Sequence, residues 1–110
     1  MPKKSVSCPV ETTRAIIGGL WKVLILRELF GGTMRFNELH RALAGVTHRT
    51  LTQQLRELEA QRIIRRKVYR QVPPKVEYSL TPLGESLKPV LDAMHKWGEQ
   101  YPHGAIGMNR

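Results

Sequence analysis

Apolar residues recur at helical spacing in four stretches of the first 60 residues, and pairs of glycines separate some of these stretches. Residues 10–18 predict a weak helix, and residues 20–30 predict a buried helix that is apolar nearly all round. Residues 33–35 are expected to form a very short strand before a short helix over residues 36–43. The pattern therefore predicts three helices before the turn at Ala44-Gly45.

The fourth helix, residues 47–60, has the strongest local signals in the chain. Thr47 is suited to cap its first turn, because a threonine hydroxyl can accept a hydrogen bond from a backbone N–H there. Val46 and Leu51 stand at the positions of a hydrophobic staple. Leu51, Leu55 and Leu58 then repeat at helical spacing, which predicts that this face is buried.

Two strands and a terminal helix are predicted for the second half of the chain. Residues 63–71 and 75–80 have strand character, and Pro73-Pro74 marks the connection, since proline cannot lie inside a sheet. Thr81-Pro82 fits the start of a helix, and Pro89 should kink that helix or shift its start. Its apolar stripe consists of Leu83, Leu87, Val90, Leu91, Met94, Trp97 and Tyr101.

This order of elements predicts a mainly α fold with a small β-hairpin, a winged helix-turn-helix domain. The 110 residues suit one compact domain. We expect an N-terminal arm over residues 1–9, the domain over residues 10–101 and a flexible tail over residues 102–110.

Charge narrows the class of partner. The chain has 18 Lys and Arg against 9 Asp and Glu, a net charge of +9 that favours a polyanion such as nucleic acid, an anionic membrane or an acidic protein. Residues 47–75 carry eight of the cations and two of the anions, or +6, on a helix and a hairpin. This placement favours nucleic acid over a membrane surface. Since no apolar run approaches the roughly 20 residues of a membrane span and no secretory signal is evident, we expect a cytoplasmic protein.

The helix over residues 47–60 has side chains that can read base edges in the major groove. Arginine pairs bidentately with guanine, and glutamine with adenine. The first residues of such a helix usually reach the bases, whereas Arg56, further along, is expected to contact phosphate. The DNA-binding residues predicted on this helix are Thr47, His48, Arg49, Thr50, Gln53, Gln54 and Arg56.

The hairpin tip is predicted to contact the DNA backbone or the minor groove. Arg70, Gln71 and Lys75 flank this tip, and Arg35 is a candidate phosphate clamp at the start of the preceding helix. Each of these cations, taken alone, could instead be an ordinary solvated surface charge. A winged helix that coats nucleic acid without sequence preference, or that binds a protein, is the alternative function.

Taken together, these segments resemble the HxlR-type winged-helix regulators of bacteria and archaea. The matching segments are residues 8–10 (CPV), 24–29 (LILREL), 35–39 (RFNEL), 51–59 (LTQQLRELE), 72–84 (VPPKVEYSLTPLG) and 97–98 (WG). The resemblance covers residues 8–101, and the segment with Pro73-Pro74 is its most specific part. One departure is Leu20, where the family usually has a basic residue before the tryptophan; here Lys22 follows Trp21 instead.

The resemblance implies a homodimer that binds double-stranded, palindromic operator DNA, with repression as the expected sign of regulation. In the family the first and last helices form the dimer interface; alternatively, the stripe covers the body of one chain. The predicted interface residues are Val10, Ile16, Leu87, Leu91, Met94, Trp97 and Tyr101.

The single cysteine, Cys8, occupies the position at which many family members sense oxidants or electrophiles. A helix N-terminus together with Lys3 and Lys4 would favour its thiolate. Cross-linking to a partner's cysteine, a mixed disulfide and alkylation are the open routes, and an inert packed cysteine is the alternative. No cofactor, metal site or enzymatic activity is expected, because the four histidines lack metal-ligand spacing and no catalytic motif is present.

Overall fold

The computed structural model describes residues 8–102, which form a winged helix-turn-helix domain. The predictions for residues 1–7 and 103–110, which make up most of the expected arm and tail, lie outside the described residues, so the three-part division stays a prediction. The elements are α1 (Pro9–Ile17), α2 (Lys22–Leu29), β1 (Met34–Arg35), α3 (Phe36–Ala42), α4 (His48–Ala60), β2 (Ile64–Tyr69), β3 (Lys75–Leu80), α5 (Pro82–Glu85) and α6 (Lys88–Gln100).

The β-hairpin is part of a three-stranded antiparallel sheet with the order β1, β3, β2. The short strand β1 pairs Met34 with Tyr78, while β2 pairs Ile64 with Leu80 on the other side of β3. The sequence predicted both the short strand and the hairpin, but it did not show that they pair. β2 ends at Tyr69, two residues before the predicted end, because the connection to β3 begins there.

Buried aliphatic side chains from most of the elements form one core beneath α4. Ile25 and Leu26 of α2 and Leu51, Leu55 and Leu58 of α4 are almost fully buried. The predicted leucine face of α4 is therefore confirmed, and its opposite face is left to solvent.

The turn into α4 fixes where this helix begins. Gly45 has a φ of +94°, a left-handed conformation that glycine adopts without strain. The Thr47 hydroxyl accepts a hydrogen bond of 3.0 Å from the Thr50 N–H, which confirms the predicted cap. Val46 and Leu51, the predicted staple residues, are both buried in the core.

The C-terminal region contains two helices where the sequence predicted one. Thr81 caps the short helix α5, and α6 begins at Lys88 with Pro89 in its first turn, so the proline shifts the start of the helix. At Gly84 a Cβ atom would clash with the Ile63 carbonyl oxygen, which explains a glycine where α5 lies against the sheet. Across residues 8–102, no helix is both long and apolar enough to cross a membrane.

Candidate nucleic-acid interface

The solvent-facing side of α4 brings together four of the predicted DNA-binding residues, His48, Arg49, Gln53 and Arg56. Arg49, Gln53 and Arg56 are all exposed, and their spacing of four and three residues places them on one face of the helix. They line a shallow groove of about 590 Å³ whose full lining is His48, Arg49, Thr52, Gln53, Arg56, Glu57 and Ala60. Thr52 was not singled out from the sequence, although its position between Arg49 and Arg56 on this face could have identified it.

Three other predicted residues of α4 are less available to a ligand. The Thr47 hydroxyl already accepts the capping hydrogen bond from Thr50. Thr50 and Gln54 are half-buried rather than exposed. Of the predicted residues, the structure therefore leaves the side chains of His48, Arg49, Gln53 and Arg56 most accessible.

An aromatic cluster supports the first turn of α4. The ring of His48 lies 4.5 Å from the ring of Phe36 and 6.2 Å from that of His40, measured between centroids. His40 is half-buried, and its Nε2 lies 3.0 Å from the Val46 carbonyl oxygen. The sequence predicted that His48 faces DNA, and the structure leaves it exposed, whereas His40 joins α3 to the turn.

A buried cation anchors the exposed face of α4 to the core helix α2. Lys22 is 8% exposed, and its Nζ lies 2.6 Å from Oε1 of Glu57. The Lys22 ammonium lowers the pKa of the Glu57 carboxyl below its ordinary value, first through this hydrogen bond and then through its charge. The sequence showed a lysine inside an apolar helix, which requires a partner, but nothing in its spacing identified Glu57 as that partner.

The wing, defined here as β2, β3 and their connection, has its own cationic cluster. The Lys67 and Lys75 ammonium groups lie 5.0 and 4.3 Å from the centre of the Tyr69 ring, within the range of cation–π contact. Lys75 also lies 3.6 Å from the Glu77 carboxylate. Lys75 is thus already engaged within the wing, a role that its sequence position did not reveal.

Two further predicted residues, Arg70 and Gln71, are exposed in the connection between β2 and β3. Their position beyond the end of β2 places them at the free end of the hairpin, as the sequence predicted.

Arg35 lies at the edge of the sheet, where β1 meets α3. It is exposed, and its backbone N–H donates a 2.8 Å hydrogen bond to Glu38, which caps α3. Glu77 pairs in register with Arg35 on one side and with Lys67 on the other. Since residues directly opposite each other share a face of a sheet, this face has a carboxylate between two cations.

The second predicted surface, on α1 and α6, is apolar. Val10, Met94 and Trp97 are 71%, 47% and 65% exposed, and the Trp97 and Tyr101 rings lie 5.1 Å apart. A groove of about 570 Å³ between these helices is lined by Val10, Thr13, Arg14, Ile17, Gly18, Gly19, Val23, Val90 and Met94.

Three of the predicted interface residues instead contribute to the core of their own chain. Leu91 is buried, and Ile16 and Leu87 are half-buried against that core. Val90, which the sequence placed on the stripe but not at the interface, is exposed.

Cys8 is exposed and directly precedes α1 at its N-cap position. Its side chain makes no capping hydrogen bond. Within residues 8–102, no group of three or more His, Cys, Asp or Glu side chains is placed to hold a metal ion.

Comparison with known proteins places this geometry in one family. The sequence model of the HxlR-like helix-turn-helix family matches residues 16–105. The HTH-type transcriptional regulator YdeP of Bacillus subtilis is 56% identical over 94 residues, which cover 86% of this chain and 73% of YdeP.

Solved structures agree with the sequence comparison. The redox regulator HypR in its reduced form is 52% identical with a TM-score of 0.81, covering 84% of this chain and 91% of that one. The oxidised form of HypR gives the same identity and TM-score over 86% and 97% of the two chains. The chain therefore belongs to the HxlR-like family of winged helix-turn-helix transcriptional regulators.

Proposed function

We propose that this protein binds operator DNA sequence-specifically as a homodimer and so regulates transcription, most simply by repression. The observation that carries the proposal is the exposed face of α4, where Arg49, Gln53 and Arg56 lie together above a fully buried leucine face. An α-helix fits the B-DNA major groove, and arginine and glutamine are suited to reading its base edges.

The residues of α4 have different roles in this proposal. Arg49, in the first turn, contacts a guanine, and Gln53, one turn later, contacts an adenine. Arg56 lies a further turn along the helix and pairs with phosphate, which fixes the register without reading sequence. The ring of His48 packs at a tilt against that of Phe36 and orients the first turn.

The wing and the edge of the sheet supply backbone affinity. Arg70 and Gln71 reach the phosphates or the minor groove from the exposed connection, and Arg35 contacts phosphate at the other edge of the sheet. Lys75 contributes less than a free cation would, because Tyr69 and Glu77 already contact its ammonium.

Two copies of the chain associate through α1 and α6. Val10, Val90, Met94 and Trp97 present an exposed apolar surface rather than scattered single side chains. Trp97 with Tyr101 forms an aromatic pair suited to anchoring an interface. A twofold dimer presents two α4 helices to two half-sites, so the operator is palindromic.

Cys8 is the proposed site of redox or electrophile control. It is exposed beside the proposed dimer helices, and the similar protein HypR is a redox regulator with reduced and oxidised structures. In the cross-linking route, two Cys8 thiols give up two protons and two electrons to an oxidant such as diamide and form one intersubunit disulfide. Such a bond would change the spacing of the two α4 helices.

Competition between DNAs tests sequence-specific binding. Excess random DNA should leave a selected operator mostly bound, since specific sites are typically favoured by about 10³ or more. If random DNA competes equally, the protein coats nucleic acid without preference, and the operator proposal fails.

Treatment with diamide tests the role of Cys8. The oxidised wild-type protein should run as a covalent dimer in a non-reducing gel and bind the operator with altered affinity, whereas Cys8→Ser should change in neither respect. An equal change of affinity in both proteins would contradict control through Cys8.

A further inference from the structure

One carboxylate joins the buried core to a proposed base reader. Oε1 of Glu57 lies 2.6 Å from Nζ of Lys22, and Oε2 of Glu57 accepts a long hydrogen bond of 3.5 Å from Nε2 of Gln53. Each oxygen of the carboxylate therefore has a different partner. Glu57 is half-exposed and lines the same groove as Gln53.

Lys22 makes this carboxylate a fixed point on the surface. Its ammonium is almost fully removed from water, so it requires a charged partner held in place. Lys22 is the first residue of α2, whose Ile25 and Leu26 are fully buried in the core. The position of Glu57 is thereby tied to a helix that is anchored in the buried core.

An anchored carboxylate dictates which way the Gln53 amide points. An ionised carboxylate only accepts hydrogen bonds, whereas a glutamine amide has a donor nitrogen and an acceptor oxygen. Gln53 must therefore turn Nε2 toward Glu57 and Oε1 away from it. The four-residue spacing of Gln53 and Glu57 places the two side chains side by side on the helix.

The amide orientation that results is suited to one kind of base edge. With one N–H of Gln53 directed at Glu57, the carbonyl oxygen and the second N–H remain free. An acceptor beside a donor is the pair that complements N6–H and N7 of adenine in the major groove.

We propose that Glu57, anchored by Lys22, is a positioning residue that fixes the amide orientation of Gln53 and thereby sets the base that Gln53 reads. This inference rests on the proposed function, because it assumes that α4 reads DNA. It adds a specificity determinant that does not itself touch a base. In the Glu57→Gln variant the amide at this position can donate as well as accept, so Gln53 can adopt either orientation.

The test measures base preference at single positions of the operator that wild-type protein selects from random DNA. Affinity is measured for all four bases at each position, for wild type and for Gln53→Ala, Glu57→Gln, Lys22→Met and the double variant Gln53→Ala/Glu57→Gln. Glu59→Gln is the matched control, because it removes the same charge from α4 about 200° around the helix axis from Glu57. Circular dichroism and thermal unfolding confirm that each variant is folded.

We expect wild type to prefer adenine at one position of each half-site by about fivefold or more, and Gln53→Ala to abolish this preference. Glu57→Gln should reduce it by about threefold or more at the same position only, since one reader changes. Lys22→Met should act in the same direction. Glu59→Gln should leave the preference intact, and the double variant should lose no more than Gln53→Ala.

Three results would overturn the inference, and a fourth would overturn the proposed function. Full adenine preference in Glu57→Gln overturns the inference and leaves the proposed function intact, as does a loss spread equally over all positions. Retention of every preference in Gln53→Ala also overturns it, since Gln53 then reads no base. If wild type selects no sequence at all, the proposed function itself fails.

Discussion

Helices α4 and α6 are both thirteen residues long, but their apolar faces differ in how far the rest of the chain buries them. The apolar face of α4 is closed by its own chain, with Leu51, Leu55 and Leu58 almost fully buried. On α6 only Leu91 is buried, while Met94 and Trp97 stay exposed. The apolar face of α4 is buried by its own chain, whereas α6 leaves an apolar surface that a second copy can cover.

This contrast assigns base reading to α4 and association of two copies to α6. The reading face of α4 is polar, and its leucines and the Lys22–Glu57 ion pair hold it in place. We propose that the exposed apolar face of α6, with Met94 and Trp97, determines how two reading faces are arranged. Changes on α4 should therefore alter folding or base preference, and changes on α6 should alter association.

The largest effect is expected from the buried face of α4. Leu55→Ala removes a buried side chain and should lower the free energy of unfolding by about 2–5 kcal/mol. Urea denaturation measures this change. Gln53→Ala, on the exposed face of the same helix, is the control and should stay within about 0.5 kcal/mol of wild type. Equal losses in the two variants would show that α4 is not held by its leucine face.

The next effect concerns α6. Trp97→Asp puts a charge into the proposed interface and should weaken dimerisation by about 30-fold or more, because central aromatic anchors contribute about 2 kcal/mol or more. Sedimentation equilibrium measures the dissociation constant. Val72→Asp, at a side chain that is 99% exposed on the wing, is the matched control and should leave the dimer unchanged. A Trp97→Asp dimer as tight as wild type would remove α6 from the interface.

A base reader should show a smaller and more selective effect. Arg49→Ala should weaken binding to the selected operator by about 1–3 kcal/mol and relax the preference at one guanine. Binding to random DNA should change much less. A loss of the same size on operator and random DNA would make Arg49 a phosphate contact.

Substitutions in the wing should have smaller effects on DNA affinity. Arg70→Ala should reduce affinity for all sequences about equally and lower the salt dependence of binding by about one counterion. Lys75→Ala should do less, because Tyr69 and Glu77 already engage its ammonium. Titration with DNA at several salt concentrations ranks the two, and a steeper loss for Lys75→Ala would contradict this order.

The smallest effect is a pH dependence of folding through Glu57. Because its folded pKa lies below the ordinary value of 4.5, its ionised form adds stability that is fully present above about pH 4.5. That stability is lost as the pH falls through the folded pKa. The difference in unfolding free energy between wild type and Glu57→Gln should shrink below pH 4.5, and it should not do so in a Lys22→Met background.

Local signals predicted much of the fold. The Thr47 cap, the leucine repeat and the Pro73-Pro74 connection each depend on residues that are close in sequence, and the structure confirms all three. Pro89 was predicted to kink the terminal helix or shift its start, and in the structure it lies in the first turn of a separate helix, α6, where proline is tolerated.

Contacts between residues that are distant in sequence could not be predicted. No periodicity connects Lys22 with Glu57, 35 positions later, or shows that β1 pairs with β3 rather than standing alone. The pairing of Lys75 with Tyr69 and Glu77 likewise depends on strand register. The sequence therefore named the polar residues of the site, but not which of them are already engaged.

Selection of bound sequences from a pool of random DNA shows whether two copies joined through α6 each read one half-site with α4. We expect two inverted half-sites whose centres lie about 10 base pairs, or a multiple of that, apart. A pool without any enriched sequence, or one enriched in a single unpaired half-site, would contradict this arrangement.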